Sequence, residues 1–247
     1  MRVAVAGGTG LTGRLVVAEL ARAGHEPVAL SRSRGVDVHG GAGLDAALAG
    51  CAAVVDVTNT SAQRRDAAVR FFGTEAANLT AAAARAGVAH VVVLSIVGVD
   101  RVDLGYYLGK RRQEEVVTGG PVPWTVLRTT QFHEFAGQLL DRVPGPVALV
   151  PRMRCRPVAV AEVAARLAEL ATGAPAGYAR ELAGPEELQL LDMARATVRA
   201  RGERRLVLSL RLPGAVARAA AGGALLPQGD HDTGARTFAA ALGAVPA

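Results

Sequence analysis

Three side chains of this sequence could handle a carbonyl group and a proton together: Ser95, Tyr106 and Lys110. Lys110 is the only lysine among 28 basic side chains, and the others are arginine. On a helix, Tyr106 and Lys110 would stand at positions i and i+4 and share one face. A serine hydroxyl can orient a carbonyl, a phenol can exchange a proton with it, and a nearby ammonium favours the phenolate. The spacing therefore predicts a catalytic set, in which Tyr107 offers a rival phenol.

A glycine-rich segment near the N-terminus supplies a second chemical signal. The apolar run Arg2–Ala6 has the length of a strand, and the segment 14–23 after the glycines has a helical pattern. Strand, glycine turn and helix form the context of a dinucleotide fingerprint, in which the pyrophosphate lies over the N-terminus of the helix. The residues expected to contact the dinucleotide are Gly7, Thr9, Gly10, Leu11, Thr12 and Gly13.

The tip of the next strand indicates which dinucleotide is bound. The strand at residues 27–30 ends in Ser31-Arg32-Ser33-Arg34, and no carboxylate appears before Asp37. A carboxylate there would hold the ribose hydroxyls of NAD, whereas an arginine stabilises the additional phosphate of NADP. The tip therefore predicts NADPH as the cofactor, with Arg32 on its 2′-phosphate and with Arg34 and Arg14 as alternatives for that contact.

The following segments predict where other polar side chains would stand. We expect a third short strand at residues 36–38, a short helix at 43–50 and a buried strand at 53–57 that leads to Thr58 and Asn59. A helix at 74–86 and a strand at 91–96 then place Ser95 near a carboxyl strand end. Because ligands of open α/β folds bind at that edge, Thr58 and Asn59 are predicted cofactor neighbours and Ser95 a predicted substrate neighbour.

Composition excludes several other classes of protein. The 247 residues are 50% hydrophobic, and the apolar run 91–99 is too short to span a bilayer, so we expect a protein of the cytoplasm. The net charge of +6 comes from scattered arginines with only 4% aromatic residues, which does not favour nucleic-acid binding. The 5 histidines lack metal-ligand spacing, so no metal site is expected.

Several motifs together resemble one known family. They are Gly7–Gly13, Leu94–Val99, Tyr106–Lys110, Trp124–Phe132, Arg156–Ala164 and Leu182–Glu186. These segments are similar to the atypical short-chain dehydrogenase/reductase superfamily, in its NmrA-like NAD(P)-binding branch. The resemblance implies an α/β fold with a Rossmann-type doubly wound parallel sheet. It also implies a single domain over residues 1–247, in which about 151–247 builds a small substrate cap. By the same resemblance, the segment Thr129–Phe132, and with it Thr130, lies beside the nicotinamide. From the residues themselves, the candidates for lining a substrate pocket are Phe132, His133 and Phe135.

The motifs leave three functions open. The first is an NADPH-dependent oxidoreductase that reduces a hydrophobic carbonyl or a quinone, with Tyr106 as proton donor, Lys110 as ribose clamp and Ser95 as carbonyl orienter. The second is a non-catalytic NmrA-like protein that senses the dinucleotide. The third is an NAD(P)-dependent epimerase or dehydratase that recycles its nicotinamide. The expected partner is a small-molecule substrate, and a homo-oligomer is expected only by analogy with other proteins of this fold.

Overall fold

The computed structural model describes residues 1–243, which form two compact units. The first unit combines Met1–Ser95, Asp103–Arg128 and Val160–Arg180. The second combines Ile96–Val102, Thr129–Ala159 and the chain from Glu181 onward. The chain thus enters each unit more than once, and the expectation that about 151–247 forms the substrate cap stays a prediction.

Twelve strands lie within residues 1–243. In chain order they are β1 (Arg2–Ala6), β2 (Glu26–Leu30), β3 (Ala53–Asp56), β4 (His90–Ile96), β5 (Trp124–Thr129), β6 (Val147–Pro151), β7 (Arg154–Cys155), β8 (Gly177–Tyr178), β9 (Glu181–Ala183), β10 (Leu188–Gln189), β11 (Leu206–Leu210) and β12 (His231–Thr233).

Nine α-helices accompany them in the described residues. They are α1 (Leu11–Arg22), α2 (Leu44–Leu48), α3 (Arg65–Arg85), α4 (Gly105–Thr118), α5 (Phe135–Asp141), α6 (Val160–Thr172), α7 (Leu190–Ala200), α8 (Ala215–Ala221) and α9 (Phe238–Gly243). In this part of the chain, none of the helices has the length and hydropathy that crossing a bilayer requires.

The first unit is built around a parallel sheet in the order β2-β1-β3-β4-β5. Strand β1 pairs in parallel with β2 on one side and with β3 on the other, and β3 pairs in parallel with β4. The chain leaves β1 towards β2 and returns on the other side as β3, so the direction of winding reverses between β1 and β3. In open α/β sheets, ligands bind at the carboxyl ends of the strands at such a reversal. The predicted α/β Rossmann-type fold is confirmed.

Helices cover this sheet because its strands are apolar on both faces. Ala4, Val54 and Val91 belong to one buried cluster with Ala76 and Leu79 of α3. The alternate strand residues, such as Val5, Val55 and Val92, are equally buried and point the other way. Strands buried on both faces are typical of parallel sheets between two helical layers.

The second unit contains smaller strand pairs. Strands β6 and β11 are parallel, β7 and β10 are antiparallel, and β12 pairs in parallel with β9. Within this unit β9 also meets the end of β5, where Thr129 stands opposite Leu182. Gly184 follows β9 with no space for a side chain, because a Cβ there would lie 1.7 Å from the carbonyl oxygen of Pro157.

Two sequence-based expectations differ from the structure. Residues 36–38 do not form a third strand; Val36 and Val38 are buried, but the segment turns back so that the Asp37 N–H donates to the Ala42 carbonyl. Gly35, at φ +78°, directs the chain into this turn, so the alternation of apolar residues there marks core contacts rather than a strand. Helix α3 also begins nine residues before the predicted 74, at Arg65.

Candidate active site

The glycine segment between β1 and α1 is packed so closely that side chains are excluded from it. A Cβ on Gly13 would lie 2.1 Å from the carbonyl oxygen of Gly7, so the first turn of α1 rests directly on the loop. Gly7 itself has φ +77°, and a Cβ there would approach the Val57 carbonyl oxygen to 2.9 Å. The loop is therefore fixed against both its own helix and the end of β3.

The N-terminus of α1 is suited to an anion. Gly10 is its N-cap residue, no side chain caps the helix, and no acidic residue occurs in its first turn. Thr9, Gly10 and Leu11 are exposed, whereas Thr12 is buried. The uncapped N–H groups and the helix dipole would stabilise a pyrophosphate, so the cradle fits the predicted dinucleotide.

The tip of β2 presents arginine side chains to solvent. Residues Arg32–Arg34 form a short 3-10 helix directly after the strand, and all three are exposed. The nearest carboxylate in sequence, Asp37, accepts a hydrogen bond from the His39 N–H at 3.1 Å. Arg32 therefore stands where a ribose phosphate would meet a positive charge rather than a carboxylate.

Polar side chains at the end of β3 are tied to one another. Asp56 is fully buried, and its Oδ1 accepts hydrogen bonds from the Thr58 N–H at 3.0 Å and the Thr58 hydroxyl at 2.7 Å. Asn59 is exposed, and its Oδ1 accepts a hydrogen bond from the Tyr106 hydroxyl at 2.7 Å. The predicted cofactor neighbour Asn59 and the predicted proton donor Tyr106 are thus in direct contact.

Tyr106 and Lys110 lie one turn apart on α4, as predicted, and both contact Phe72 of α3. The Tyr106 ring meets the Phe72 ring edge to face at 5.5 Å, and the Lys110 Nζ stands 4.8 Å from the centre of the Phe72 ring. Tyr107 lies next to Tyr106, with 6.0 Å between the ring centres. Helices α3 and α4 approach closely here because Gly109 has no side chain. A Cβ at this position would lie only 2.7 Å from a Phe72 ring carbon.

Lys110 lies inside the first unit and is only 4% exposed. It donates a hydrogen bond to the Oε1 atom of Gln113 at 2.6 Å. Burial lowers the pKa of Lys110 to about 8, and the nearby carboxylates Asp56, Glu114 and Glu75 oppose this by favouring the charged form. Lys110 is therefore a cation that gives up its proton far more readily than an exposed lysine.

Glu75 is the second unusual titratable group beside this site. It is 6% exposed, and its Oε2 atom has no hydrogen-bond partner in the described structure. Burial first, and then the negative charge of Asp56, raise the pKa of Glu75 to about 7, while Thr58 and Arg32 act in the opposite direction. Near neutral pH, Glu75 is therefore protonated in part of the molecules.

Ser95 lies near the carboxyl end of β4, as expected. It is 1% exposed, and its hydroxyl has no hydrogen-bond partner among the described residues. A buried hydroxyl usually finds a partner, so the unpaired Ser95 hydroxyl has hydrogen-bonding capacity that the described residues do not use. This agrees with a role in orienting a substrate carbonyl, although that role stays a prediction.

The remaining predicted residues lie in the second unit. The Thr130 hydroxyl donates to the Arg156 carbonyl oxygen at 2.5 Å. His133 is buried, with its Nε2 atom 3.2 Å from the Pro157 carbonyl oxygen, and Phe132 is half-buried. Next to Thr130, the Gln131 side chain is 9% exposed, and both polar atoms of its amide lack a hydrogen-bond partner.

Four side chains of interest escaped the sequence-based reasoning. Phe72, Glu75 and Gln113 were not singled out, although Gln113 follows Lys110 at helical spacing and Glu75 shares a face of α3 with Phe72 and Leu79. Gln131 was quoted only as part of a motif. A polar residue placed on the buried face of a helix is the signal that could have identified Glu75 and Gln113.

A cleft of about 440 Å³ opens where α3 and α4 begin, with a lining that includes Arg65, Asp103 and Arg111. Arg111 donates to the Asp103 carboxylate at 3.0 Å. The lining contains none of the predicted catalytic residues. Across the described residues, no group of three or more histidine, cysteine or acidic side chains is arranged to hold a metal ion.

Comparison with known proteins identifies an NAD(P)H-binding family. A family model described as NAD(P)H-binding matches residues 35–172, which is more than half of the chain. Among curated proteins, the chain is 37% identical over 144 residues to (4-alkanoyl-5-oxo-2,5-dihydrofuran-3-yl)methyl phosphate reductase of Streptomyces griseus subsp. griseus. This alignment covers 53% of the chain and 48% of the relative, so the chain matches about half the length of that protein.

Solved structures share the fold at low sequence identity. The NADPH-dependent quinone oxidoreductase QOR2 of Escherichia coli, complexed with NADPH, has a TM-score of 0.72 at 19% identity, with 98% of both chains covered. MoeE5 in complex with UDP-glucuronic acid and NAD has a TM-score of 0.74 at 17% identity, with 98% of this chain and 97% of that chain covered. The triphenylmethane reductase of Citrobacter sp. has a TM-score of 0.69 at 16% identity, with 93% and 92% covered.

Proposed function

This chain belongs to the NAD(P)H-binding family, and we propose that it is an NADPH-dependent reductase of the NmrA-like branch of the short-chain dehydrogenase/reductase superfamily, which its motifs resemble. Its substrate is a small hydrophobic carbonyl compound or a quinone. The observation that carries this proposal is the placement of the Tyr106 hydroxyl on Asn59, with Lys110 one turn along the same helix and against the same Phe72 ring.

The residues at the carboxyl ends of β1, β2 and β3 fit NADPH. The uncapped N-terminus of α1 would hold the pyrophosphate, Arg32 the 2′-phosphate, and Asn59 would stand near the nicotinamide end beside Tyr106. When bound, NADPH supplies the hydride. The preference for NADPH over NADH rests on the arginines at the β2 tip and on the absence of a carboxylate there.

Tyr106 delivers the proton in this proposal. Its hydroxyl now donates to the Asn59 amide oxygen and would turn to a substrate oxygen that accepts the hydrogen bond instead. The substrate takes up one hydride and one proton and becomes an alcohol or a hydroquinone, while the phenolate that remains on Tyr106 is stabilised by the positive charge of Lys110. The unpaired Ser95 hydroxyl would orient the carbonyl.

The name of the curated relative supports a substrate that contains a conjugated carbonyl group. That relative is a reductase of a compound that carries an alkanoyl group, an oxo-dihydrofuran ring and a phosphate. A conjugated or ring-bound carbonyl is therefore the first substrate class to test on this chain. Phe132 and His133 are proposed to line its pocket, and Thr130 to lie beside the nicotinamide.

A dinucleotide-sensing protein is the second candidate function. It is favoured by the burial of the groups that catalysis would need: Lys110 is 4% exposed with its ammonium bound to Gln113, and Ser95 is 1% exposed. Such a protein would bind NADPH and change a partner's state without turnover.

Tyr106→Phe, with Tyr107→Phe as matched control, tests the reductase. NADPH consumption would be followed with a panel of quinones and hydrophobic ketones. We expect Tyr106→Phe to lower kcat about 100-fold or more, because general acid catalysis contributes at least that much, and to retain NADPH binding. Tyr107→Phe should behave like the parent.

The other outcomes point elsewhere. Unchanged turnover in Tyr106→Phe would contradict the assigned proton donor and favour direct quinone reduction. Tight NADPH binding without turnover on any substrate would favour the sensor. Product formation without net NADPH consumption would indicate an epimerase or dehydratase.

A further inference from the structure

Gln113 links the only lysine of the chain to a buried carboxylate. The Gln113 side chain is fully buried on α4. Its Oε1 atom accepts a hydrogen bond from the Lys110 Nζ at 2.6 Å, and its Nε2 atom donates to the Asp56 Oδ2 atom at 2.7 Å. One amide therefore connects a cation on the same helix with the end of β3.

Both neighbours determine the orientation of this amide. An ammonium only donates hydrogen bonds and an ionised carboxylate only accepts them, so the amide oxygen must face Lys110 and the amide nitrogen must face Asp56. Asp56 is itself held, because its other oxygen accepts two hydrogen bonds from Thr58. The hydrogen bond to Asp56 thus fixes the position of the Gln113 oxygen relative to β3, and this oxygen in turn fixes the position of the ammonium.

The charges around Lys110 show why the Gln113 oxygen is an important acceptor for its ammonium. Three carboxyl groups favour its charged form: Asp56 from β3, Glu114 from its own helix and Glu75 from α3. Glu114 is also paired with Arg128 at 2.7 Å, and Glu75 carries a proton in part of the molecules near neutral pH. The ammonium therefore depends on Asp56 and on the 2.6 Å hydrogen bond to Gln113 to offset its burial.

We propose that Gln113 is a positioning residue that holds the Lys110 ammonium in its charged form against Phe72, one turn from Tyr106, with Asp56 as its anchor. Holding Lys110 is a property of the folded protein by itself. Its consequence for turnover rests on the proposed reductase function, in which Lys110 stabilises the Tyr106 phenolate.

The single lysine allows a direct test that does not depend on activity. In protein labelled with carbon-13 at the lysine Cε, Lys110 gives one side-chain signal, whose shift with pH reports its pKa. The variants are Gln113→Met, which removes the acceptor at similar volume, and Gln113→Glu, which keeps an acceptor oxygen. Gln138→Met is the matched control, because Gln138 is an exposed glutamine on α5.

We expect the parent Lys110 to titrate near 8 and the Gln113→Met variant to titrate about one unit or more lower, because a hydrogen bond to a charged group is lost. Gln113→Glu should titrate at or above the parent value, and Gln138→Met should match the parent. An unchanged Lys110 titration in Gln113→Met would overturn the proposal. If that variant does not fold, Gln113→Leu provides the same comparison, because it also removes the acceptor of Lys110 and leaves the charge of Asp56 in place.

Kinetics separate this proposal from the proposed function. If the parent turns over a substrate, the pH profile of kcat in Gln113→Met should move in the direction of the Lys110 titration, and Gln113→Glu should restore much of the activity. A lowered titration point with an unchanged kcat profile would overturn the role of Gln113 in positioning. If the parent shows no turnover at all, the reductase fails, and the Lys110 titration alone decides the proposal.

Discussion

Lys110 shows at the scale of one residue why lysine and arginine are not interchangeable. Its ammonium fits against the Phe72 ring and meets one amide oxygen in a space that is only 4% exposed. A guanidinium carries five donors in a rigid plane and stays charged at every relevant pH, so it would neither meet one amide oxygen with a single donor nor give up its proton as Lys110 does. The single lysine of the chain therefore stands where a compact ammonium fits and a guanidinium does not.

The free energy of unfolding should depend on pH because of this buried cation. The folded-state pKa of about 8 lies below the unfolded value of 10.5, so between these values the unfolded chain binds more protons. The cost of the charge is therefore present in full below pH 8 and is relieved as the pH rises towards 10.5. We expect the free energy of unfolding of the parent to rise relative to Lys110→Met across this interval, by up to about 1.4 kcal/mol per pH unit.

Urea unfolding at several pH values between 8 and 10.5 measures this difference. Arg22→Met serves as the control, because Arg22 is an exposed cation at the end of α1 and should show no such slope against the parent. A parent and a Lys110→Met variant whose stabilities run in parallel would contradict the buried, easily deprotonated ammonium.

At the scale of elements, the contact between α3 and α4 sets the positions of the catalytic candidates. Gly109 lies between Tyr106 and Lys110 in sequence and is buried against α3. A Cβ at this position would lie 2.7 Å from the Phe72 ring and 2.8 Å from the Ala68 carbonyl oxygen. The absence of a side chain thus allows the two helices to approach closely enough for Phe72 to contact both Tyr106 and Lys110.

Gly109→Ala should therefore disturb the site without changing any polar group. We expect a loss of about 1–3 kcal/mol in the free energy of unfolding, because backbone of α3 must shift to admit the methyl group. Where the reductase can be assayed, its kcat should fall as well. Gly229→Ala is the control, because no atom lies within 4 Å of the Cβ that it would add. Equal stability of the two variants would show that the helices are not held at this distance.

At the scale of the whole molecule, cofactor binding should couple to the stability of the first unit. The glycine cradle, the N-terminus of α1 and Arg32 all belong to this unit and form only when its sheet is folded. A ligand that binds the folded state alone stabilises it by mass action.

NADPH should therefore raise the free energy of unfolding, by about 2.7 kcal/mol when the free cofactor is at 100 times its Kd. NADH at the same concentration should stabilise less, because it lacks the phosphate that Arg32 would bind. We expect Arg32→Ala to weaken NADPH binding about tenfold and to leave NADH binding unchanged. Thermal unfolding with each cofactor measures both effects, and Arg22→Ala is the exposed-arginine control. Equal stabilisation of the parent by NADPH and NADH would contradict the predicted preference.

Much of the first unit could be predicted because its signals are local. The apolar run of β1, the glycines and the start of α1 follow one another within a few residues, and each glycine is required by a contact inside that segment or by the neighbouring end of β3. The strand expected at residues 36–38 was wrong for a tertiary reason. Buried valines on either side of a polar residue, as at Val36 and Val38, occur in a strand and also in a tight turn, and only tertiary packing distinguishes the two structures.

The sequence by itself determined the dinucleotide cradle, the arginine tip of β2 and the placement of Tyr106 and Lys110 on one face of a helix, because helix and strand periodicity act over short distances along the chain. Only the tertiary structure decided what surrounds Lys110. Its partners come from β3, from α3 and from the next turn of α4, and the burial that lowers its pKa exists only when these elements pack together. Electrostatic environments depend on distances through space, and no spacing along the chain specifies them.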